Sequence, residues 1–288
     1  MRSLHAAIGL FTVFKVPSFD IDRTTARRAL RALPWVGLLL GFVAGAFGQV
    51  VGGSLLGAAL ALAIVAGATG GLHLDGLADT ADGLGSRKPA DEALAIMRRS
   101  DIGPMGVIAL VFVLLIDVAA LTLLNSHLVA LTLAAAVAAG RVAVVVASVG
   151  RRAARPDGFG ALFAGVTRGW AAALNGALLV AVVVGAAWWV VGWWAAAALG
   201  AGLAVGALAA LVWGSRLARQ FGGWTGDTFG SLIEVTQCAV LVTSMQEYLY
   251  GLGEMPSSWA PAALQAQAIA ARTYAQKKVE LTAGRGTY

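Results

Sequence analysis

Residues 70–82 read GGLHLDGLADTAD and set three carboxylates between apolar segments of membrane length. On a helix, Asp75, Asp79 and Asp82 fall at i, i+4 and i+7 and share one face. Three like charges on one stripe repel one another and call for a cation. Oxygen ligands without a Cys or His cluster favour a hard ion, and Mg²⁺ in particular is commonly held by one or two carboxylates together with substrate phosphates. The competing reading is a solvated acidic face. Such a face normally interleaves Lys or Arg with its acids, whereas the neighbours here are Leu, Ala, Thr and Gly. His73 lies two residues before Asp75, off its face, and is read as a structural residue or one that supports a neighbouring site residue, without chemistry of its own.

A second constellation follows Arg216 and Arg219, in the run FGGWTGDTFGSLIE. Gly222, Gly223 and Gly226 give a backbone able to approach a phosphate closely, although a lone Gly-rich loop is more often a turn. Asp227 and Glu234 stand at i and i+7. If the segment after Gly226 is helical they share a face and can complete a cation site with the first aspartates. The alternative makes Asp227 the N-cap of the last helix and Glu234 a structural partner.

The elements that must carry these residues are membrane spans. Of 288 residues, 59% are hydrophobic and 12% charged, and the mean hydropathy is +0.78, which together place the chain outside ordinary soluble composition and among polytopic membrane proteins. The 37 glycines suit close helix packing in lipid. Basic residues sit in short loops between apolar runs, so the formal charge of +6 reads as membrane orientation, and no nucleic-acid partner is expected. The single Cys238 excludes an internal disulfide framework and a multi-Cys metal site.

In chain order, an apolar run from Ala6 to Phe14 is too short to span and reads as an interfacial or re-entrant piece. A basic amphipathic segment with Arg23, Arg27, Arg28 and Arg31 follows, then Pro34, suited to the first turn of a helix. Six spans are expected at Trp35–Val51, Leu55–Leu72, Pro104–Leu124, Leu128–Val149, Ala171–Val191 and Ala195–Trp213. Trp35 and the cluster Trp188, Trp189, Trp193 and Trp194 read as interfacial anchors. The last apolar stretch, Leu232–Val242, is too short to cross on its own. The expected architecture is an all-α polytopic bundle of six to seven transmembrane helices.

Arg23–Arg31, Arg87–Arg99, Arg151–Arg168 and Arg216–Arg219 hold nearly all the positive charge of the loops, and the turns at Gly52, Asn125 and Trp193 hold none. The positive-inside rule therefore expects every polar loop, with Asp75–Asp82, on the cytoplasmic face of the cell membrane. Acids at one rim count against a transporter with a carboxylate-lined ion site, whose acids belong near the midplane. That remains the rival from another class.

The runs TGGLHLDGLADTADGL, EALAIMRRSDIGPMGVIAL, ARPDGFGALFAGVTR and GGWTGDTFGSLIEVTQ resemble, in order and spacing, the cobalamin synthase family, the adenosylcobinamide-GDP ribazoletransferases. The resemblance covers residues from about 4 to about 242. It implies transfer of adenosylcobinamide phosphate from adenosylcobinamide-GDP to α-ribazole or its 5′-phosphate, with release of GMP and a requirement for Mg²⁺. Such a reaction is catalysed mainly by positioning and charge neutralisation. On this reading Asp75, Asp79 and Asp82 hold Mg²⁺ with Asp227 as a further ligand, and one of these acids or Glu234 accepts the ribose proton. Arg98 and Arg99 serve as oxygen clamps for the GDP, or else as ordinary cytoplasmic anchors; Arg155 and Arg168 are read in the same two ways. Another Mg²⁺-dependent membrane phosphotransferase, of the CDP-alcohol type, is the alternative within enzymes, but its Ala-Arg step is missing after Asp79. A homo-oligomer is left open.

After Val242 the composition changes. TSMQEYLYGLGEMPSSWAPAALQAQAIAARTYAQKK resembles part of the stage II sporulation D family of peptidoglycan lytic transglycosylases, over residues from about 244 to 278. That resemblance implies a glycan-cleaving acid at Glu254. Some 45 residues are too few to build the cleft such a site needs, so residues 243–288 are expected to be a partial segment rather than a domain, joined to a membrane domain of residues 1–242 whose terminal helix it cuts short.

Overall fold

The computed structural model describes residues 2–52, 54–124 and 128–244, one compact unit. The turn at Asn125–His127 and the tail with Glu254 lie outside the described residues. The order is α1 (Arg2–Phe11), α2 (Arg23–Val50), α3 (Leu55–Ala68), α4 (Leu72–Gly85), α5 (Ala90–Ile96), α6 (Pro104–Leu123), α7 (Val129–Ala147), α8 (Gly158–Phe163), α9 (Gly169–Val190), α10 (Trp193–Phe221) and α11 (Gly226–Ser244).

Five helices, α2, α6, α7, α9 and α10, are long and apolar enough to cross a membrane, or six crossings if the pair α3 and α4 is counted as one. These helices show an all-α polytopic bundle, with five or six candidate spans against the six to seven expected. α7 is its axis, buried along most of its length, while Trp188, Trp189 and Trp193 are exposed at one end, as interfacial anchors require.

Three boundaries differ from the sequence reading. Pro34 does not start a helix: α2 runs unbroken from Arg23, capped by the Asp22 carboxylate accepting from Thr25 N–H at 2.6 Å, with Pro34 buried inside it. Basic segment and first span are therefore one helix, which carries Arg23 across to the carbonyls of Ala161 and Ala164 at 2.6 and 2.8 Å. The second expected span stops early, because Gly70 and Gly71 adopt left-handed φ of 62° and 71°, which residues with a Cβ rarely do. There the chain bends by 90° into α4. α3, at 14 residues, is about 21 Å long; α4, which carries the three aspartates, is not among the five helices that can span on their own. Third, α11 is longer than the apolar stretch Leu232–Val242 indicated, at 19 residues. It buries Thr228, Ser231, Glu234, Thr236 and Gln237 among its neighbours. A helix carrying that many buried polar groups is an internal helix of the bundle rather than a lipid-facing one.

Contacts at the rim join the polar segments. Ala154 N–H donates to Trp224 C=O at 2.9 Å and Trp224 N–H to Arg152 C=O at 3.0 Å, tying the loop after α7 to the loop before α11. Gln220 reaches Lys88 C=O, and Arg98 pairs with Asp157. The motif-bearing loops thus gather at one end of the bundle.

Candidate active site

α4 and α11 cross where Gly76 faces Gly230. A Cβ at Gly76 would stand 2.7 Å from the Asp227 carbonyl oxygen and 3.0 Å from its Cα. Only glycine lets the two helices approach this closely, and the approach is what brings Asp227 beside Asp75 and Asp79. Gly76→Ala is expected to cost about 1–3 kcal/mol of stability through overpacking. Thermal unfolding in micelles would check it; an unchanged thermal midpoint would refute the assignment.

The start of α11 is fixed by two threonines. Thr225 N–H donates to Thr228 Oγ1 at 2.8 Å and Thr228 N–H to Thr225 Oγ1 at 3.1 Å, a reciprocal cap of the kind that satisfies the first free amides of a helix. Thr225 is therefore the cap, and Asp227 is free for the site. Its Oδ2 accepts from Thr225 Oγ1 at 3.3 Å and pairs with Arg155 at 3.5 Å. Arg155, its side chain 15% exposed, also donates to Leu94 C=O at 2.7 Å. Burial raises the Asp227 carboxyl above its ordinary range, and Arg155 opposes the rise.

Asp75 and Asp79 accept no hydrogen bond from any described group. Burial pushes Asp79 up to about 7, and the charges of Asp75, Asp227 and Asp82 push the same way, with Arg155 only partly compensating. Clustered carboxylates of which two, Asp75 and Asp79, accept no hydrogen bond from the described protein form a site in want of a cation. Among the described residues no three His, Cys, Asp or Glu side chains are grouped closely enough to hold an ion alone. The donor set fits an ion that substrate phosphates complete, as is usual for Mg²⁺.

Two of the acids named from spacing are engaged elsewhere. Asp82 Oδ2 accepts from Gly103 N–H at 2.7 Å and Oδ1 from Gly106 N–H at 2.8 Å, so its carboxylate caps α6 from a neighbouring helix. Asp82→Ala is expected to cost about 0.5–2 kcal/mol, the range for a lost helix cap, read as a lowered thermal midpoint. Glu234 lies inside the bundle, where the charges acting on it are Arg141 and Asp117 rather than the rim aspartates. For Glu234 the reason is rise: the seven residues from Asp227 are two helical turns, about 10.5 Å along the axis. A shared face is not a shared site.

The arginines also divide. Arg98 is exposed and pairs with Asp157 at 3.1 Å. Arg99 lines a cavity of about 270 Å³ with Asp79 and Asp82. Arg168 is exposed at the start of α9. Arg155, offered by the sequence only on equal terms with Arg168, is the one held against an acid of the site. It lines a second cavity of about 270 Å³ with His73, Asp75, Asp227 and Phe159. On the other side of Asp75 a cavity of about 620 Å³ opens between α1, the Gly70–Gly71 bend and α6.

A family model for cobalamin-5-phosphate synthase matches residues 3–245. The chain belongs to that family. Among its relatives are adenosylcobinamide-GDP ribazoletransferases from Frankia casuarinae, 41% identical over 84% of this chain and 94% of the relative, and from Klebsiella pneumoniae strain 342, 37% identical over 84% and 98%. One from Escherichia coli O139:H28 is 34% identical over 82% and 96%. A model for a stage II sporulation protein matches residues 235–287, overlapping the end of α11. No solved structure matches. All four motif-bearing segments of this cobalamin synthase family member therefore fall inside the matched region, and the rim they build is the family's part of the chain.

Proposed function

We propose that the chain is an adenosylcobinamide-GDP ribazoletransferase whose site is the rim formed by α4, α11 and the loop carrying Arg155. The observation that carries this is the pair of carboxylates, Asp75 and Asp79, that accept no hydrogen bond from the described protein, Asp75 lining a cavity with Arg155 and Asp227 and Asp79 within reach of the charges of all three. Support for the chemistry comes from relatives of that name spanning 82–84% of the chain. The positive charge of the rim loops supports a cytoplasmic site.

Asp75 and Asp79, with Asp227, would hold Mg²⁺ against the pyrophosphate of adenosylcobinamide-GDP. Bound there, the ion supplies neutralisation of the pyrophosphate charge and of the leaving phosphate. Arg155 presents a guanidinium to phosphate oxygens from a partly buried position, where charge–charge interaction is stronger than in water. An alcohol oxygen of α-ribazole forms the new bond to the cobinamide-linked phosphorus, the bridging P–O bond breaks, and GMP departs with the bridging oxygen. One carboxylate of the rim set takes the alcohol proton. The cavity of about 620 Å³ beside Asp75 offers room for the second substrate. Residues beyond α11 are given no part in this chemistry.

The test is GMP release by the full-length chain in detergent micelles with adenosylcobinamide-GDP and α-ribazole, beside a version ending at Ser244. Mg²⁺-dependent GMP and adenosylcobalamin from both is expected. A carrier shows no activity without a sealed compartment, so absence of GMP from both versions would refute the transferase reading.

A further inference from the structure

His73, at the start of α4, is only 4% exposed. Its Nδ1 lies 3.2 Å from Nη2 of Arg141 in α7, whose Nη1 donates to Val137 C=O at 3.0 Å. A guanidinium has only donors, so Nδ1 must be the acceptor in this contact. The imidazole is then neutral and its single proton sits on Nε2. Arg141 thereby fixes which nitrogen donates.

That N–H is buried and meets no acceptor among the described residues. A histidine needed only to receive a bond from Arg141 would be expected to turn its other nitrogen to a carbonyl or to water, since buried polar groups are seldom left unpaired. His73 instead lines the cavity of about 270 Å³ shared with Asp75, Arg155 and Asp227. Arg155 Nε, in the wall of the same cavity, is likewise buried and without an acceptor. Both unmet groups are donors, so what satisfies them is an acceptor. The positive charge of Arg155 selects an anionic oxygen over a hydroxyl.

We propose that His73 binds substrate directly, its Nε2–H donating to a phosphate oxygen of the nucleotide-activated substrate beside Arg155. The proposal rests on the transferase reading. It adds a neutral donor, preset by Arg141, to the charged groups of the rim. Such a donor orients a phosphate oxygen without carrying a second positive charge to the buried end of the site, where Arg141 already lies.

The test uses the full-length chain labelled with [15N]histidine in micelles, the His73 signal being the one lost in His73→Gln. The free protein is expected to show His73 protonated on Nε2 alone. Saturating adenosylcobinamide-GDP with Mg²⁺ shifts the Nε2–H proton downfield, and α-ribazole alone leaves it in place. In turnover, His73→Phe loses about 10- to 100-fold in kcat/KM, the usual effect of removing a hydrogen bond to a charged group. His73→Gln, which keeps an N–H at a similar reach, recovers most of that loss. A wild-type chain that releases GMP while its His73 signal is unmoved by adenosylcobinamide-GDP, or moves with α-ribazole alone, overturns the proposal and leaves the transferase reading intact. A wild-type chain that makes no GMP removes both. Because the spectroscopic arm needs only the wild-type protein and His73→Gln for the assignment, a misfolded His73→Phe does not decide the matter.

Discussion

Asn in place of Asp75 or Asp79 is expected to lower Mg²⁺-dependent GMP release by about 10²–10³-fold, the effect usual for removing one group that stabilises transition-state charge. Each replacement keeps the side-chain shape and deletes one negative charge from a set whose members accept no hydrogen bond from the described protein. The fold should tolerate it. For Asp79 it removes a carboxylate that burial and three neighbouring acids already raise to about 7, so the apo protein should be as stable as wild type or more so. Rate measured against thermal midpoint separates this from Asp82, whose loss acts through the α6 cap formed on Gly103 and Gly106 and is read chiefly as instability. Full activity in both Asp75→Asn and Asp79→Asn would exclude a carboxylate-held cation here.

Arg155→Ala carries the second large effect, an expected loss of about 10²-fold or more in kcat/KM, since a positioned cation on a transferring phosphoryl group is worth several kcal/mol in a water-poor site. The residue does two jobs: it pairs with Asp227 at 3.5 Å and holds Leu94 C=O at 2.7 Å, joining the loop after α7 to α5 and α11. Arg155→Lys keeps the charge but not the fork. It should retain binding of the anionic substrate better than Ala does, yet fall short of wild type in kcat. Equal behaviour of Lys and wild type would reduce Arg155 to a diffuse positive charge.

Much of this rim could be read from the chain alone, and the reasons for success and failure are physical. Asp75 and Asp79 were legible because a four-residue spacing brings side chains together on any helix, whatever surrounds it. Asp227 was named because a helix after Gly226 would turn it to a cation site; the contact of Gly76 with Gly230 that brings it to α4 was not foreseen. Asp82 and Glu234 were placed with them by angular position alone; Asp82 stays beside Asp79 but spends its carboxylate on the cap of α6, and rise along the axis carries Glu234 to the neighbourhood of Arg141. Pro34 looked like a helix start because proline suits a first turn, but the basic segment before it is helical from its cap at Asp22. The 90° bend after α3 had its signal in Gly70–Gly71, although apolar length alone extended the span through it.

His73 and Arg155 show what no spacing rule reaches. His73 stands off the face of Asp75, and only the packing of α4 against α11 brings both residues to the wall of one cavity. Arg155 and Arg168 are alike in the sequence, both basic and both at the rim. The backbone pairing of Ala154 with Trp224 is what delivers the first to Asp227 and leaves the second exposed.

The most direct measurement of the central claim is equilibrium binding of adenosylcobinamide-GDP to the detergent-solubilised protein with and without Mg²⁺, in wild type and in the Asp75→Asn/Asp79→Asn double variant. If the α4 carboxylates hold the pyrophosphate through the ion, Mg²⁺ tightens binding about tenfold or more in wild type, an increment of about 1.4 kcal/mol, and leaves the double variant unchanged. The same Mg²⁺ enhancement in both proteins would contradict the account and move the cation away from Asp75 and Asp79.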